Sequence, residues 1–450
     1  MNGYEIIRTT ATEAGCRVTD LLAMSNRRDP FYCGQPAQKR DAEWFADLRA
    51  ALGIGANVHL RRIHYQLVSQ AEPPIKPNGE PYRNTDKDWK WFCESVVAAR
   101  TLGLVDVQDF VDRRNPDPLI LRGDYEAEPL AFTISAPDLW FYTIDSELEE
   151  PRLILPGIEV KGYAYDDGDQ PYLLEVWTEK TTMNDVLAPL CQRYRANLVT
   201  AAGFQSITAA VNLIGRAQAT GKPARVFYIS DFDPAGDKMP IAVARQTEYW
   251  IRQYGLDTDI TLTPIALTAE QVTDYQLPRI PIKESDNRRH KFEARYGAGA
   301  VELDALEAIY PGELGRLVNE ALAPYWDDRL ETRMERQRAE VRNTISREWN
   351  AHIDDLSDLV EEIESDIGGV YDQFADELAD LANRLNDAIG PARATLDDIE
   401  VELDRRRETF TAELPERIES DLEPPDESAW MFSSLRGYMD QLRHYRKEAA

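Results

Sequence analysis

The feature that most constrains this chain is an alternation of short apolar runs and longer amphipathic stretches between residues 171 and 266. Leu173-Leu174-Glu175-Val176-Trp177, Asn197-Leu198-Val199-Thr200, Arg225-Val226-Phe227-Tyr228-Ile229 and Ile260-Thr261-Leu262-Thr263-Pro264-Ile265 read as strands, being short and mostly rich in β-branched and aromatic residues. Between them, apolar residues recur at helical spacing, as at Val186, Leu187, Leu190 and Tyr194. Further helices are expected from Ser206 to about Ala217 and from Ala235 to Tyr254. Strands joined through helices pair in parallel, with helices on both faces and ligands at the C-terminal strand ends. The fold class is α/β.

One such strand end carries the strongest chemical signal, Asp231-Phe232-Asp233-Pro234-Ala235-Gly236. Alternate residues of an extended segment point the same way, so two carboxylates can converge on one hard cation. Glu179 follows the first strand of the same sheet and supplies a third acid. A metal held there neutralises charge on a phosphate undergoing transfer. The plain alternative is a solvated Asp-Pro turn capping a helix, a role Asp233 can also fill.

A phosphate-directed chemistry must be squared with a net charge of −29, since phosphate binding needs cations. About 19 of those negative charges lie between Trp326 and Trp430, while residues 1–120 are close to balanced. A basic groove is therefore compatible with the N-terminal part. The four cysteines, Cys16, Cys33, Cys93 and Cys191, form no CxxC pair, and five histidines do not cluster, so no zinc site is expected. No stretch approaches the roughly 20 apolar residues of a membrane helix, and the first residues lack the pattern of a signal peptide. The expected location is cytoplasmic, with no membrane partner.

Upstream, a helix is expected over Asp41–Leu48, another from about Leu60, and a third from about Asp86 to Leu102. A Pro/Gly-rich turn separates the last two, and a short strand is expected over Leu104–Val107. Helices closed by a β ribbon within about 60 residues form the layout of a winged helix. Downstream, Ile353, Leu356, Val360, Ile363, Ile367, Val370 and Phe374 make a heptad seam, which resumes after a stutter at Leu378, Leu381 and Leu385. Gly390-Pro391 is expected to break the helix and Leu396, Ile399, Leu403 and Phe410 to begin a returning one, giving an antiparallel coiled-coil hairpin.

Glu179 with the Asp231–Asp233 pair, in this strand order and with this turn, resembles the Toprim domain of topoisomerases, primases and certain nucleases over residues 171–270. The segments around Ile265–Thr268, Gln276–Pro278, Ile282–Asp286 and Val301–Leu306 are similar to relatives of topoisomerase VI A subunits. In that family and in the meiotic double-strand-break proteins, a winged-helix motif of arginine, acid, apolar residue, aromatic and tyrosine supplies the nucleophile. Here Arg61 and Tyr65 match it, while Arg62 and His64 depart from it. The expected layout is a helical extension (1–57), a winged helix (58–122), a connecting segment (123–170), a Toprim domain (171–325), an acidic coiled-coil hairpin (326–430) and a C-terminal helix (431–450).

The resemblance implies Mg2+- or Mn2+-dependent cleavage of double-stranded DNA by Glu179, Asp231 and Asp233. Arg61, Arg62, His64, Lys180 and Lys283 are the expected DNA contacts. It also implies a homodimer and a separate ATPase subunit, SMC-like or GHKL. Two enzymatic readings stay open. Water attacks, as in the nuclease subunit of Wadjet-type plasmid-defence complexes, or Tyr65 attacks and forms a 5′-phosphotyrosyl link. In the first, Tyr65 packs in the core with its hydroxyl hydrogen-bonded. A third reading is an inactive DNA-binding scaffold, which has no need of converging carboxylates.

Overall fold

A computed structural model of the chain describes residues 3–110, 116–122, 125–139, 153–200, 207–374, 378–424 and 432–433. The N-terminal region is helical: α1 (Gly3–Glu13), α2 (Pro36–Ala51), α3 (Leu60–Val68) and α4 (Asp86–Thr101). Their starts are set locally. Pro36 begins α2, where its missing N–H costs no bond, and the Thr85 hydroxyl caps α4 by accepting from the Asp88 N–H. Helices α2 to α4 bury Phe45, Ile63, Leu67, Phe92 and Val96 in one core. The strand expected over Leu104–Val107 does not form. The Asp106 carboxylate accepts from the Gln108 N–H, closing a 3-10 turn over Val107–Asp109, and a single bridge ties Phe110 to Val58.

Two short antiparallel ladders follow, β1 (Ala131–Ile134) with β4 (Ile158–Lys161) and β2 (Asp138–Leu139) with β3 (Leu153–Ile154). The α/β region comes next: β5 (Leu173–Thr178), α5 (Asn184–Arg193), β6 (Asn197–Thr200), α6 (Ile207–Thr220), β7 (Ala224–Ile229), α7 (Met239–Tyr254) and β8 (Ile260–Ala266). Its four strands are parallel in the order β6-β5-β7-β8, and β9 (Phe432–Ser433) adds antiparallel to β8. Strands β5, β6 and β7 are buried at every residue, which is why they read as near-continuous apolar runs. The period of two divides them between two cores. Leu173, Trp177, Val226 and Tyr228 face α6 and α7, while Leu174, Val176, Phe227 and Ile229 face α5 and α11 (Glu313–Leu322). Shorter helices α8 (Ala269–Asp274), α9 (Arg289–Tyr296) and α10 (Leu303–Ile309) lie between β8 and α11.

The last helices are α12 (Leu330–His352), α13 (Asp354–Phe374) and α14 (Leu378–Thr409). The chain divides into two compact units, one of Met1–Tyr125, Gln170–Asp327 and Asp421–Ala450, the other of Glu126–Asp169 and Asp328–Ser420. The stretch read as a connecting segment thus belongs mostly to the second unit. There Ile353, Leu356, Val360, Ile363 and Ile367 of the seam pack with Leu385, Ile389, Leu396, Ile399 and Leu403. Arg406, near the end of α14, pairs with Asp355, at the start of α13, at 2.6 Å, so these helices run antiparallel.

The break expected at Gly390-Pro391 is absent, since α14 runs through both residues. Both are exposed, so solvent can hydrate the carbonyl that proline leaves without a donor. A C-terminal helix over 431–450 lies outside the described residues, apart from strand β9. Among the described residues, no helix is long and apolar enough to cross a membrane.

Candidate active site

Parallel pairing of β5 with β7 places Thr178 opposite Ile229, so the chain leaves both strands side by side. Glu179 follows one strand and Asp231 and Asp233 follow the other. The loop after β7 is pinned on its far side by reciprocal backbone hydrogen bonds between Phe232 and Val301, each 2.9 Å. It is also tightly folded. A Cβ at Gly236 would lie 2.0 Å from the Asp231 carbonyl oxygen, so only glycine fits there.

Each acid is held through one oxygen. Glu179 Oε1 accepts from the backbone N–H of Asp231. Asp231 Oδ1 accepts from the N–H of Leu303 at 2.6 Å and lies 3.0 Å from the Lys180 ammonium. Asp233 Oδ1 accepts from the N–H groups of Ala235 (2.8 Å) and Gly236 (2.6 Å), the turn-capping role expected of it. The second oxygens, Glu179 Oε2, Asp231 Oδ2 and Asp233 Oδ2, have no hydrogen-bond partner among the described residues.

Burial pushes the Glu179 carboxyl up to about 7; the Asp231 N–H opposes the rise and the charges of Asp231 and Asp233 add to it. Burial likewise lifts Asp231, against the Leu303 N–H and Lys180. Three hard carboxylate oxygens left without a hydrogen-bond donor among the described residues suit Mg2+ or Mn2+ in donor chemistry. Among the described residues, no three His, Cys, Asp or Glu side chains are yet gathered in a geometry that would hold an ion as they stand. Glu175, the other acid of β5, is excluded as a ligand. Arg216, Trp177 and Asn197 occupy both its oxygens at 2.6 to 3.2 Å.

Lys180 sits inside this cluster. Its ammonium lies 3.0 Å from Asp231, 2.5 Å from Asp304 and 3.3 Å from Glu302. Burial opposes its charge, but the hydrogen bonds to Asp304 and Asp231 outweigh it and hold its pKa above the ordinary lysine value. It is therefore committed to carboxylates rather than open to a phosphate. In the sequence, Glu302 and Asp304 stand out only within the Val301–Leu306 segment that is similar to relatives of topoisomerase VI A subunits, with no role at the site. Their place at the site comes from the bridge at Val301.

The expected tyrosine motif is split by α3. Tyr65 is 53% exposed, and its hydroxyl meets no hydrogen-bonding partner among the described residues. It does not pack in the core as a purely structural tyrosine would. His64 is 4% exposed, bonded to Tyr82 (2.6 Å) and Asn84 (3.1 Å), and so is turned into the interior. Arg61 and Arg62 are exposed, with Arg61 lying 5.2 Å over the Trp89 ring. Lys283 is exposed, without an ion-pair partner among the described residues. No hydrogen bond or ring contact joins Tyr65 to the acids among the described residues.

A hollow of about 390 Å3 by the C-terminal end of α6, lined by Arg122, Asn212 and Arg216 among others, contains none of these acids. No protein-family model matches the chain, and no curated protein matches it in sequence.

Proposed function

We propose that this chain is a metal-dependent DNA-cleaving subunit, with a Toprim-like site of Glu179, Asp231 and Asp233. The observation that carries the reading is the placement of these acids after two adjacent strand ends, each anchored by one oxygen with the other unpartnered among the described residues. Glu179 and Asp231 would hold Mg2+ or Mn2+, with Asp233 in support. The ion supplies positive charge to the scissile phosphate. The chain's own part is to fix the carboxylates through the Asp231, Leu303, Ala235 and Gly236 N–H groups. In the same reading, α2 to α4 are a divergent winged helix and α13 with α14 a coiled-coil hairpin. The protein works as a homodimer beside a separate ATPase subunit.

Hydrolysis is the reading argued here, because Arg62 and His64 depart from the tyrosine-nuclease pattern and His64 is buried. The exposure and free hydroxyl of Tyr65 favour a second reading, transesterification through that residue. Incubation with supercoiled plasmid and Mg2+ or Mn2+, resolved on gels with and without protease, tests both. Cleaved DNA with free ends is expected. DNA that stays protein-bound until digested supports the second reading. If Glu179→Ala and Asp231→Ala leave both metal binding and cleavage unchanged, the site assignment is wrong.

A further inference from the structure

The chain between Arg279 and Ala300 folds back over the loop that carries the acids, closed by the bridge between Ile280 and Ala300. Phe232, between Asp231 and Asp233, packs against Phe292 and Tyr296 of α9, with ring centroids 5.1 and 5.2 Å away. The Arg279 guanidinium lies 5.4 Å over the same ring, and the Tyr296 hydroxyl lies 3.0 Å from the Asp237 carboxylate. Helix α9 is thereby fastened to the acidic loop.

The charge of this segment runs against the rest of the chain. Between residues 279 and 296, six Arg and Lys stand against three Asp and Glu, within a net charge of −29. Asp286 and Glu293 are taken up by Arg288 (2.8 Å) and Arg289 (2.9 Å). Lys283 and Lys291 are exposed, with no acidic partner among the described residues. Arg279 is exposed, with long contacts of 3.3 to 3.5 Å to backbone carbonyls of residues 297–299. Lys291 and Arg295, four residues apart, share an exposed side of α9 next to the side on which Phe292 turns into the core.

We propose that this face is a track for the phosphate backbone of the DNA leading into the acidic site, an inference that rests on the DNA-cleaving reading of that site. An acidic site repels a polyanion, and so does a chain this negative overall. Local cations fastened beside the site offset that repulsion where the scissile phosphate must enter. Mobile Lys and Arg side chains on a surface helix contact phosphates rather than base edges, so the binding is sequence-independent and salt-sensitive.

The test uses the full chain carrying Asp231→Ala to silence cleavage. Binding of two short duplexes of unrelated sequence is followed by fluorescence anisotropy across a series of NaCl concentrations. Adding Lys291→Glu and Arg295→Glu is expected to weaken both duplexes equally, by about ten-fold or more, and to make the log–log salt slope shallower by about two. Lys291→Ala with Arg295→Ala is expected to act in the same direction by about three-fold, and circular dichroism shows whether each variant is folded. Unchanged affinity and slope in folded variants overturn the proposal, as does absence of DNA binding by the parent protein. It is likewise overturned if the reversal abolishes binding of polyglutamate but not of DNA, which would make the face a dock for an acidic protein. Cleavage is measured separately with Asp231 intact, so the reading of the site can fail while the track stands.

Discussion

The carboxylate of Glu179 accepts a hydrogen bond from the backbone N–H of Asp231, which ties the end of β5 to the acid-bearing loop after β7. The same aspartate faces Lys180 through its side chain, 3.0 Å away. One residue of the β7 loop is therefore held by two consecutive residues of the neighbouring strand end.

Lys180 is expected to compete with a bound cation. An ammonium beside a metal ligand repels a second positive charge. Lys180→Met keeps most of the side-chain stem and removes the charge. Calorimetry should show Mn2+ binding tighter by about five-fold, the order expected from removing one partly screened charge. Weaker Mn2+ binding in a folded variant would mean that Lys180 instead positions the acids.

Gly236→Ala is expected to damage the site from the backbone. Its Cβ has no room beside the Asp231 carbonyl, so the loop must move, at about 2 kcal/mol or more. Mn2+ binding should be lost with it. Gly215→Ala, at an exposed position of α6 with open space around it, is expected to raise stability by about 0.5–1 kcal/mol. Denaturant titration of both variants checks the contrast, and equal effects would contradict the packing of the loop.

Tyr65→Phe is expected to leave stability within about 0.5 kcal/mol of the parent, because its hydroxyl has no hydrogen-bond partner among the described residues. Cleavage should be retained under hydrolysis. A covalent protein–DNA adduct that survives denaturant and vanishes in this variant would overturn the hydrolytic reading.

Glu248 carries a pH dependence. It is fully buried on α7, 3.2 Å from Arg252, and its Oε2 has no hydrogen-bond partner among the described residues. Burial pushes its carboxyl up to about 7, against the pull of Arg245 and Arg252. A raised carboxyl binds its proton more tightly folded than unfolded, so its contribution to stability falls as pH rises from about 4.5 to about 7 and is level above that. Glu248→Gln removes the titration. The variant is expected to gain on the parent through that window, reaching about 1–2 kcal/mol by pH 8. A difference that stays flat from pH 5 to 8 in urea denaturation would show that the group does not titrate there.

Much of this was written in the sequence. The strands β5, β6, β7 and β8 read as short apolar runs, the helices and the heptad seam as periodicities of 3.6 and 3.5 residues, and the acids by their place just after two of the strands. Those repeats lie among near neighbours in the chain, so they can be read without knowing the fold. Local chemistry misled where a competing local interaction won. The Asp106 turn replaced the strand expected near Leu104, and solvent exposure let α14 continue through Gly390 and Pro391.

Tertiary structure alone decided the rest. Lys180 meets Glu302 and Asp304 across 122 and 124 residues, and no local pattern encodes that approach. His64 and Tyr65 are adjacent in sequence, yet the helix turns one into the core and the other into solvent. Helix α9 is fastened to the acid-bearing loop because Phe232 packs against Phe292 and Tyr296. Sequence fixes which residues can share a helical face or a strand end, because those distances are set by covalent geometry. Which faces and ends meet depends on the strand order and on the burial of side chains far apart in the chain.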